Sequence, residues 1–292
     1  MNRRDALRAL TSGIAAPALF VLRLGETVTA DPDFSIIERR VRGRLGVAVL
    51  DTATGRRLMH RADERFPMCS TFKWLLAAQV LSRVDAGEER LSRFVRYGHS
   101  DLLEYAPVTR AHVSHGGMSI AALAAAAVES SDNTAANLLL RTVGGPASHT
   151  AFLRRIGDRV TRLDRLEPEL NSAEPADVRD TTTPNAMIGG MQELLIGNRL
   201  RTLSRQRLLS WLTASKTGAD RLRAGVPTSW RIRDKTGTGA HGATSDVAII
   251  WPPGRPPILV AAYLAESKAG MRDRNAALAD VGRTIASWIT TS

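Results

Sequence analysis

The stretch Phe66-Pro67-Met68-Cys69-Ser70-Thr71-Phe72-Lys73-Trp74-Leu75-Leu76-Ala77-Ala78 is where this chain changes character. Upstream, Leu45-Gly46-Val47-Ala48-Val49-Leu50 is an apolar run that stops at the turn cluster Asp51-Thr52-Ala53-Thr54-Gly55, and a second strand is expected over 57–60. Before them, Phe34, Ile36, Ile37 and Val41 recur at helical spacing and predict a helix over 32–44. Downstream, Ala/Leu-rich helical stretches predominate at 71–86, 119–129, 134–142, 185–195 and 204–212, with Gly87 placed to stop the first. Beyond about residue 228 strands return at 230–233, 245–251 and 258–265; Pro252-Pro253-Gly254-Arg255 turns between the last two, and 272–290 reads as a final amphipathic helix. Strands at both ends of a helical centre predict an α+β fold. Its antiparallel sheet, flanked by the terminal helices, would come from residues 31–67 and 213–292, with an all-α domain, 68–212, inserted between them. A pocket is expected at the seam.

Composition narrows the possibilities. The 292 residues are 43% hydrophobic and 24% charged, values of an ordinary globular protein rather than a disordered or polytopic membrane one. The single cysteine, Cys69, excludes an intrachain disulfide framework and a thiolate metal cluster. Forty basic residues against 29 acidic ones give a net charge of +11. This charge is carried almost wholly by arginine, since Lys73, Lys216, Lys235 and Lys268 are the only lysines. The basic residues are scattered, without a zinc-finger, helix-turn-helix or RNP pattern, so charge alone sustains a nucleic-acid reading.

Residues 1–30 read as a targeting segment. Arg3-Arg4-Asp5-Ala6-Leu7-Arg8 looks like a degenerate twin-arginine signal, and the apolar run from Ala9 to Leu22 is short for a membrane span. Val28-Thr29-Ala30 resembles a small-residue cleavage site. Export to the periplasm or medium, with no stable membrane anchor, is therefore expected. Removal of this segment would leave 36 basic against 27 acidic residues.

Three short motifs carry chemistry. In Ser70-Thr71-Phe72-Lys73 a spacing of three puts both polar side chains on one helical face, so that an amine can take the serine proton. The helix N-terminus would aim backbone N–H groups at an oxyanion. In Ser131-Asp132-Asn133 the serine can relay a proton to a leaving nitrogen, and Asn133 can donate to a substrate amide carbonyl. In Lys235-Thr236-Gly237-Thr238-Gly239, on an edge strand, Lys235 and Thr236 offer a charge and a hydroxyl to a substrate carboxylate. There Gly237 permits close approach to the backbone, and the Thr238 N–H can complete an oxyanion hole with that of Ser70. Each motif alone is equally a helix cap or a strand-end turn.

In this order and at these spacings the three motifs resemble those of the class A serine β-lactamases and the related penicillin-binding proteins, over essentially the whole mature chain. The resemblance implies one α/β and one all-α domain with the site in the cleft between them. A fourth stretch, Arg165-Leu166-Glu167-Pro168-Glu169-Leu170-Asn171, looks like the family's Ω-loop, which would span about 162–180. By resemblance Glu167 is the general base for deacylation, Asn171 helps hold its water, and Arg165 and Asp180 pair across the loop's neck. Glu169 competes with Glu167 as the functional acid.

The implied activity is hydrolysis of penicillins and cephalosporins through a Ser70 acyl-enzyme, conferring antibiotic resistance. Either Lys73 or Glu167 would serve as the acylation base. Neither metal nor cofactor is implied, and the expected partner is the β-lactam itself, bound by a monomer. Tyr105 matches the family's aromatic wall at the cleft mouth. Where many members carry a carboxylate-binding arginine this chain has Thr244, and Arg221 resembles the substitute used by others, with Arg223 as the competitor. A disulfide from Cys69 is impossible, because Gly239 stands at the partner position. A D,D-carboxypeptidase or transpeptidase would share the first three motifs but not Glu167 and Asn171. A β-lactam sensor would need a membrane signalling partner, and no second hydrophobic span is read in the sequence.

Overall fold

The computed structural model describes residues 31–291; the expected export segment, 1–30, lies outside them. The chain enters through α1 (Ser35–Val41), the hairpin β1 (Arg44–Asp51) and β2 (Arg57–His60), and the short β3 (Phe66–Pro67). A 3-10 turn, Cys69–Thr71, leads into α2 (Phe72–Asp85), and Gly87 follows in the left-handed conformation that ends it. The middle of the chain supplies β4 (Phe94–Arg96), α3 (Pro107–His112), β5 (Gly117–Ser119), α4 (Ile120–Glu129), α5 (Asn133–Val143) and α6 (Gly145–Arg155). It continues through β6 (Thr181–Thr182), α7 (Pro184–Met191), α8 (Thr202–Thr213) and the short α9 (Leu222–Gly225). Strands β7 (Arg231–Thr238), β8 (Thr244–Trp251) and β9 (Ile258–Ala265) and the 20-residue α10 (Met271–Thr290) complete it. Among the described residues no helix is long and apolar enough to cross a membrane.

The main sheet has the order β2-β1-β9-β8-β7, antiparallel throughout. Pairing of β1 with β9, from Arg44 opposite Ala265 to Asp51 opposite Ile258, joins the two ends of the chain at the sheet's centre. Strand alternation sends Val47, Val49, Ala248, Ile250, Val260 and Ala262 to one face, where they pack against Phe34 and Val41 of the N-terminal segment and Leu278, Val281 and Ile285 of α10. Ala48, Leu50, Val247, Ile249, Ala261 and Tyr263 join the larger core on the other face, with α2, α4, α5 and α7.

The α+β class and the antiparallel sheet flanked by the terminal helices are as expected. Both cover one face, because α1 enters and α10 leaves adjacent central strands through short connections. The opposite face is closed by Met187, Ile188 and Met191 of α7 and the helical body behind it. Helix α2 runs through that body with every residue from Phe72 to Leu81 buried, Lys73 included.

Candidate active site

Ser70 is placed by a strained turn. Cys69, before it, takes a left-handed φ of 44°, a conformation costly for a residue with a Cβ. The turn is held from both sides: Met68 N–H donates to Asp180 O at 2.9 Å, and Thr71 Oγ1 to Met68 O at 2.8 Å. Ser70 Oγ donates to Glu167 Oε1 at 3.4 Å. Lys73, wholly buried one turn on, pairs with the same oxygen at 2.8 Å and donates to Ser131 O at 2.8 Å and Asn133 Oδ1 at 2.6 Å. Glu167 Oε1 is thus shared between the serine hydroxyl and the lysine ammonium.

Ser131 sits between the two buried lysines of the motifs. Its backbone is also left-handed (φ 57°), and its Oγ accepts from Lys235 Nζ at 3.0 Å and lies 3.5 Å from Lys73 Nζ. Lys235 also donates to Thr236 O at 2.8 Å. Burial, then the charges of Lys73 and Arg221, hold its ammonium pKa well below the usual lysine value. Asp132 between Ser131 and Asn133 caps α5 through Ala135 N–H and accepts from Val108 N–H, Thr109 N–H and the Thr109 hydroxyl at 2.8–2.9 Å. That carboxylate, with Asn133 N–H donating to Tyr105 O at 3.0 Å, anchors the segment carrying Tyr105, whose ring is half exposed at the cavity mouth.

The loop around Glu167 is pinned at several points. Arg165 Nε donates to Asp180 Oδ2 at 2.6 Å, while Asp180 Oδ1 accepts Asp164 N–H at 2.7 Å and Arg165 N–H at 2.9 Å. Asp180 is buried at this neck, and β6, beside it, pairs with β3 ahead of Ser70. The Glu167–Pro168 peptide is cis, and Asn137 brackets Glu167 by accepting its N–H at 2.9 Å and donating to its carbonyl at 2.8 Å. Asn171 Nδ2 donates to Glu167 Oε2. Glu167 is 2% exposed, whereas Glu169 is exposed at the start of a 3-10 turn, which separates the two acids by environment.

The third wall is β7, the free edge of the sheet. A Cβ on Gly237 would lie 2.4 Å from Ser245 Oγ and 2.7 Å from Met68 O, so this glycine lets β7 close onto the Ser70 turn. The crowding comes from the protein itself, from the Ser245 hydroxyl and the Met68 carbonyl. One at Gly239 would meet Cys69 Sγ at 2.6 Å and Asn171 O at 2.7 Å, and Ala240 N–H donates to that carbonyl at 2.9 Å. Cys69 is wholly buried, which pushes its thiol pKa up to about 12.

Arg221 is buried beneath this edge. Its Nη1 donates to Gly237 O (2.8 Å) and Ser245 O (2.7 Å), Nη2 to Thr238 Oγ1 (2.7 Å), and Nε to Asn275 Oδ1 (3.0 Å). Arg221 lines the cavity; Arg223 instead pairs with buried Asp234, outside it. Thr244 is buried and turned to Gly242 O, at 3.3 Å.

The structure gathers Ser70, Tyr105, Ser131, Asn133, Asn171, Arg221, Thr236, Gly237 and Thr238 around one cavity of about 350 Å³, with Lys73, Glu167 and Lys235 immediately behind it. Arg165 and Asp180 stand apart at the loop neck. Sequence reading missed Asn137, Thr217 and Asn275. Thr217 lines the cavity, its Oγ1 2.6 Å from that of Thr236. Asn137 carries a faint signal, being four residues after Asn133 on one face of the same helix.

Known proteins resemble this chain in sequence and fold. Residues 33–289 match the family described as "Beta-lactamase enzyme family". The chain belongs to that family. This β-lactamase is 48% identical over 285 residues to Beta-lactamase L2 of Stenotrophomonas maltophilia, covering 94% of this chain and 93% of that one. Among solved structures it is similar to an ancestral class A β-lactamase (GNCA), with a TM-score of 0.86 and 61% identity over 87% of this β-lactamase and 97% of the other chain. A mutant of the class A β-lactamase of the last common ancestor of Gram-negative bacteria, solved with the transition-state analogue 5(6)-nitrobenzotriazole, also matches at a TM-score of 0.86 and 60% identity, over 88% of this chain and 97% of that one.

Proposed function

We propose that this chain hydrolyses the amide bond of penicillins and cephalosporins through an acyl-enzyme on Ser70, and so confers antibiotic resistance. Ser70 Oγ attacks the lactam carbonyl carbon as its proton leaves toward Glu167 Oε1, its hydrogen-bond partner. The N–H groups of Ser70 and Thr238 hold the oxyanion. As the C–N bond breaks, Ser131 gives its proton to the departing nitrogen and is reprotonated by Lys73, which takes the Ser70 proton back from Glu167 across their ion pair and leaves Glu167 a carboxylate. A water deprotonated by Glu167 and oriented by Asn171 then attacks the ester carbon, and Ser70 leaves with the proton Glu167 has just taken.

Substrate is held by the rim of the cavity. Asn133 and Tyr105 flank the acylamido side, while Thr236, Thr238 and the charge of Arg221 and Lys235 favour the substrate carboxylate. The observation that carries the hydrolytic reading is the Glu167 carboxylate, hydrogen-bonded to Ser70 on one oxygen and to Asn171 on the other. A transpeptidase or sensor has no use for a base facing its own ester. Turnover of a chromogenic cephalosporin by purified protein tests this: many turnovers per molecule are expected, and a single stoichiometric burst would overturn hydrolysis.

The same reading includes export by the twin-arginine route to the periplasm, action as a monomer without a membrane anchor, and division into an α/β part (31–67 with 213–292) and an all-α part (68–212). N-terminal sequencing of the exported protein should find a start near Asp31.

A further inference from the structure

Many exposed arginines of this chain are neutralised locally. Arg93, Arg162 and Arg179 each sit against a carboxylate at 2.5–2.8 Å. Arg231 and Arg233 do not. They lie two apart on β7, so their side chains leave the same face of a free edge strand, and both guanidiniums stand over the Trp251 ring, at 5.8 and 4.8 Å from its centroid. Among the described residues neither forms an ion pair, and each faces the other's charge. Arg233 is half-buried in this state; burial and then Arg231 lower its pKa. The aromatic face holds together two cations that would otherwise separate.

The same two residues line a groove of about 420 Å³ along the edge of β7, with Arg223, Thr213, Thr228 and Trp230. Arg223 is already matched by Asp234, so the unmatched charge of the groove is that of Arg231 and Arg233. We propose that this groove is an anion site for a ligand bearing two or more phosphate groups, distinct from the catalytic cavity at the other end of the strand. Planar guanidiniums are suited to phosphate oxygens, each taking a pair of charge-assisted hydrogen bonds, and the two threonines can supply hydroxyl contacts. A phosphorylated ligand supplies the countercharge that the fold itself withholds. The site gives part of the chain's arginine surplus a local purpose that the β-lactam chemistry does not use.

Calorimetric titration of the purified protein with inorganic tripolyphosphate at low ionic strength tests the assignment. Saturable binding is expected, weakened about tenfold or more in Arg231→Gln/Arg233→Gln. The variant Arg57→Gln/Arg90→Gln, which removes the same charge from two exposed sites away from the groove, should bind as the parent does. Equal weakening in both variants, or no binding by the parent, overturns the proposal. Penicillin turnover at the parental rate in both variants establishes that they are folded. If Arg233→Gln fails this control, Arg231→Gln alone must show the loss. Vesicles with cardiolipin, whose headgroup carries two phosphates, distinguish the source: co-sedimentation lost in the Arg231/Arg233 variant identifies a lipid headgroup, and tripolyphosphate binding without co-sedimentation identifies a soluble phosphate ligand.

Discussion

Lys73 Nζ and Glu167 Oε1 form a wholly buried ion pair at 2.8 Å, and the same carboxylate oxygen receives the Ser70 hydroxyl. The pair joins the helix that carries the nucleophile to the loop that carries the base, so neither can move without disturbing the other. Removal of the carboxylate should leave a serine that still reacts poorly and an ester that is not cleared. Glu167→Ala is expected to lower turnover by about 10²–10⁴-fold and to accumulate a penicilloyl adduct visible by mass spectrometry of the intact protein. Unimpaired turnover would remove Glu167 from the mechanism.

Arg221 and Arg223, two residues apart, should fail differently. Arg221→Ala is expected to raise KM for penicillins about tenfold, with a smaller effect on kcat, because its charge and its hold on Thr238 lie in the cavity floor. Arg223→Ala should leave KM unchanged and cost about 3 kcal/mol of stability, since it strips the partner from buried Asp234. Steady-state kinetics and chemical denaturation of both variants separate these outcomes.

Gly239 has no room for a side chain between Cys69 Sγ and Asn171 O. Gly239→Ala must displace Asn171, which orients Glu167, and should lower kcat for penicillins at least about tenfold while costing about 1–3 kcal/mol. A variant with parental kcat would show that the loop absorbs the methyl group without moving its asparagine.

Cys69 should be inert in the folded protein despite its place beside the nucleophile. It is wholly buried and its thiol is held at about 12, so little thiolate forms at neutral pH. No labelling by iodoacetamide is expected at pH 8 without denaturant, and one equivalent with it. Loss of activity through native labelling would contradict this.

His149 makes folding sensitive to acid. It is wholly buried, near the rings of Phe72 and Phe152, and burial lowers its pKa from 6.5 to about 3. Between those values the unfolded chain binds a proton that the folded one refuses, so this contribution is complete above pH 6.5 and is lost as pH falls toward 3. The drop in Tm between pH 7 and pH 4 should be shallower in His149→Gln than in the parent, whatever the absolute stabilities. Parallel curves would exclude the histidine as the titrating group.

Elements with continuous apolar runs are the legible ones. Strands β1, β8 and β9 and helices α2, α4 and α5 match those runs and their bounding turn residues to within a residue or two, because burial of both sheet faces and of α2 leaves few polar interruptions. Helix α6 escaped notice because Gly144-Gly145-Pro146 at its start reads as a turn, and the hairpin of β4 and β5 because three-residue strands carry no period. Within the site, Ser70, Lys73, Ser131 and Lys235 announce themselves by spacing. Asn137 does not, since its meaning depends on a backbone amide 30 residues away, and Asn275 holds Arg221 across 54.

The missing side chain at Gly237 has a last consequence. A Cβ there would meet the Ser245 hydroxyl and the Met68 carbonyl, so β7 sits against the Ser70 turn with no side chain of its own between them. The two N–H groups proposed to cradle the oxyanion come from residues 70 and 238, far apart in the chain, and this close approach brings their two elements together. Substitutions elsewhere around the cavity can therefore reshape which substrates enter while leaving this spacing untouched, so that the pocket is free to vary around a fixed gauge.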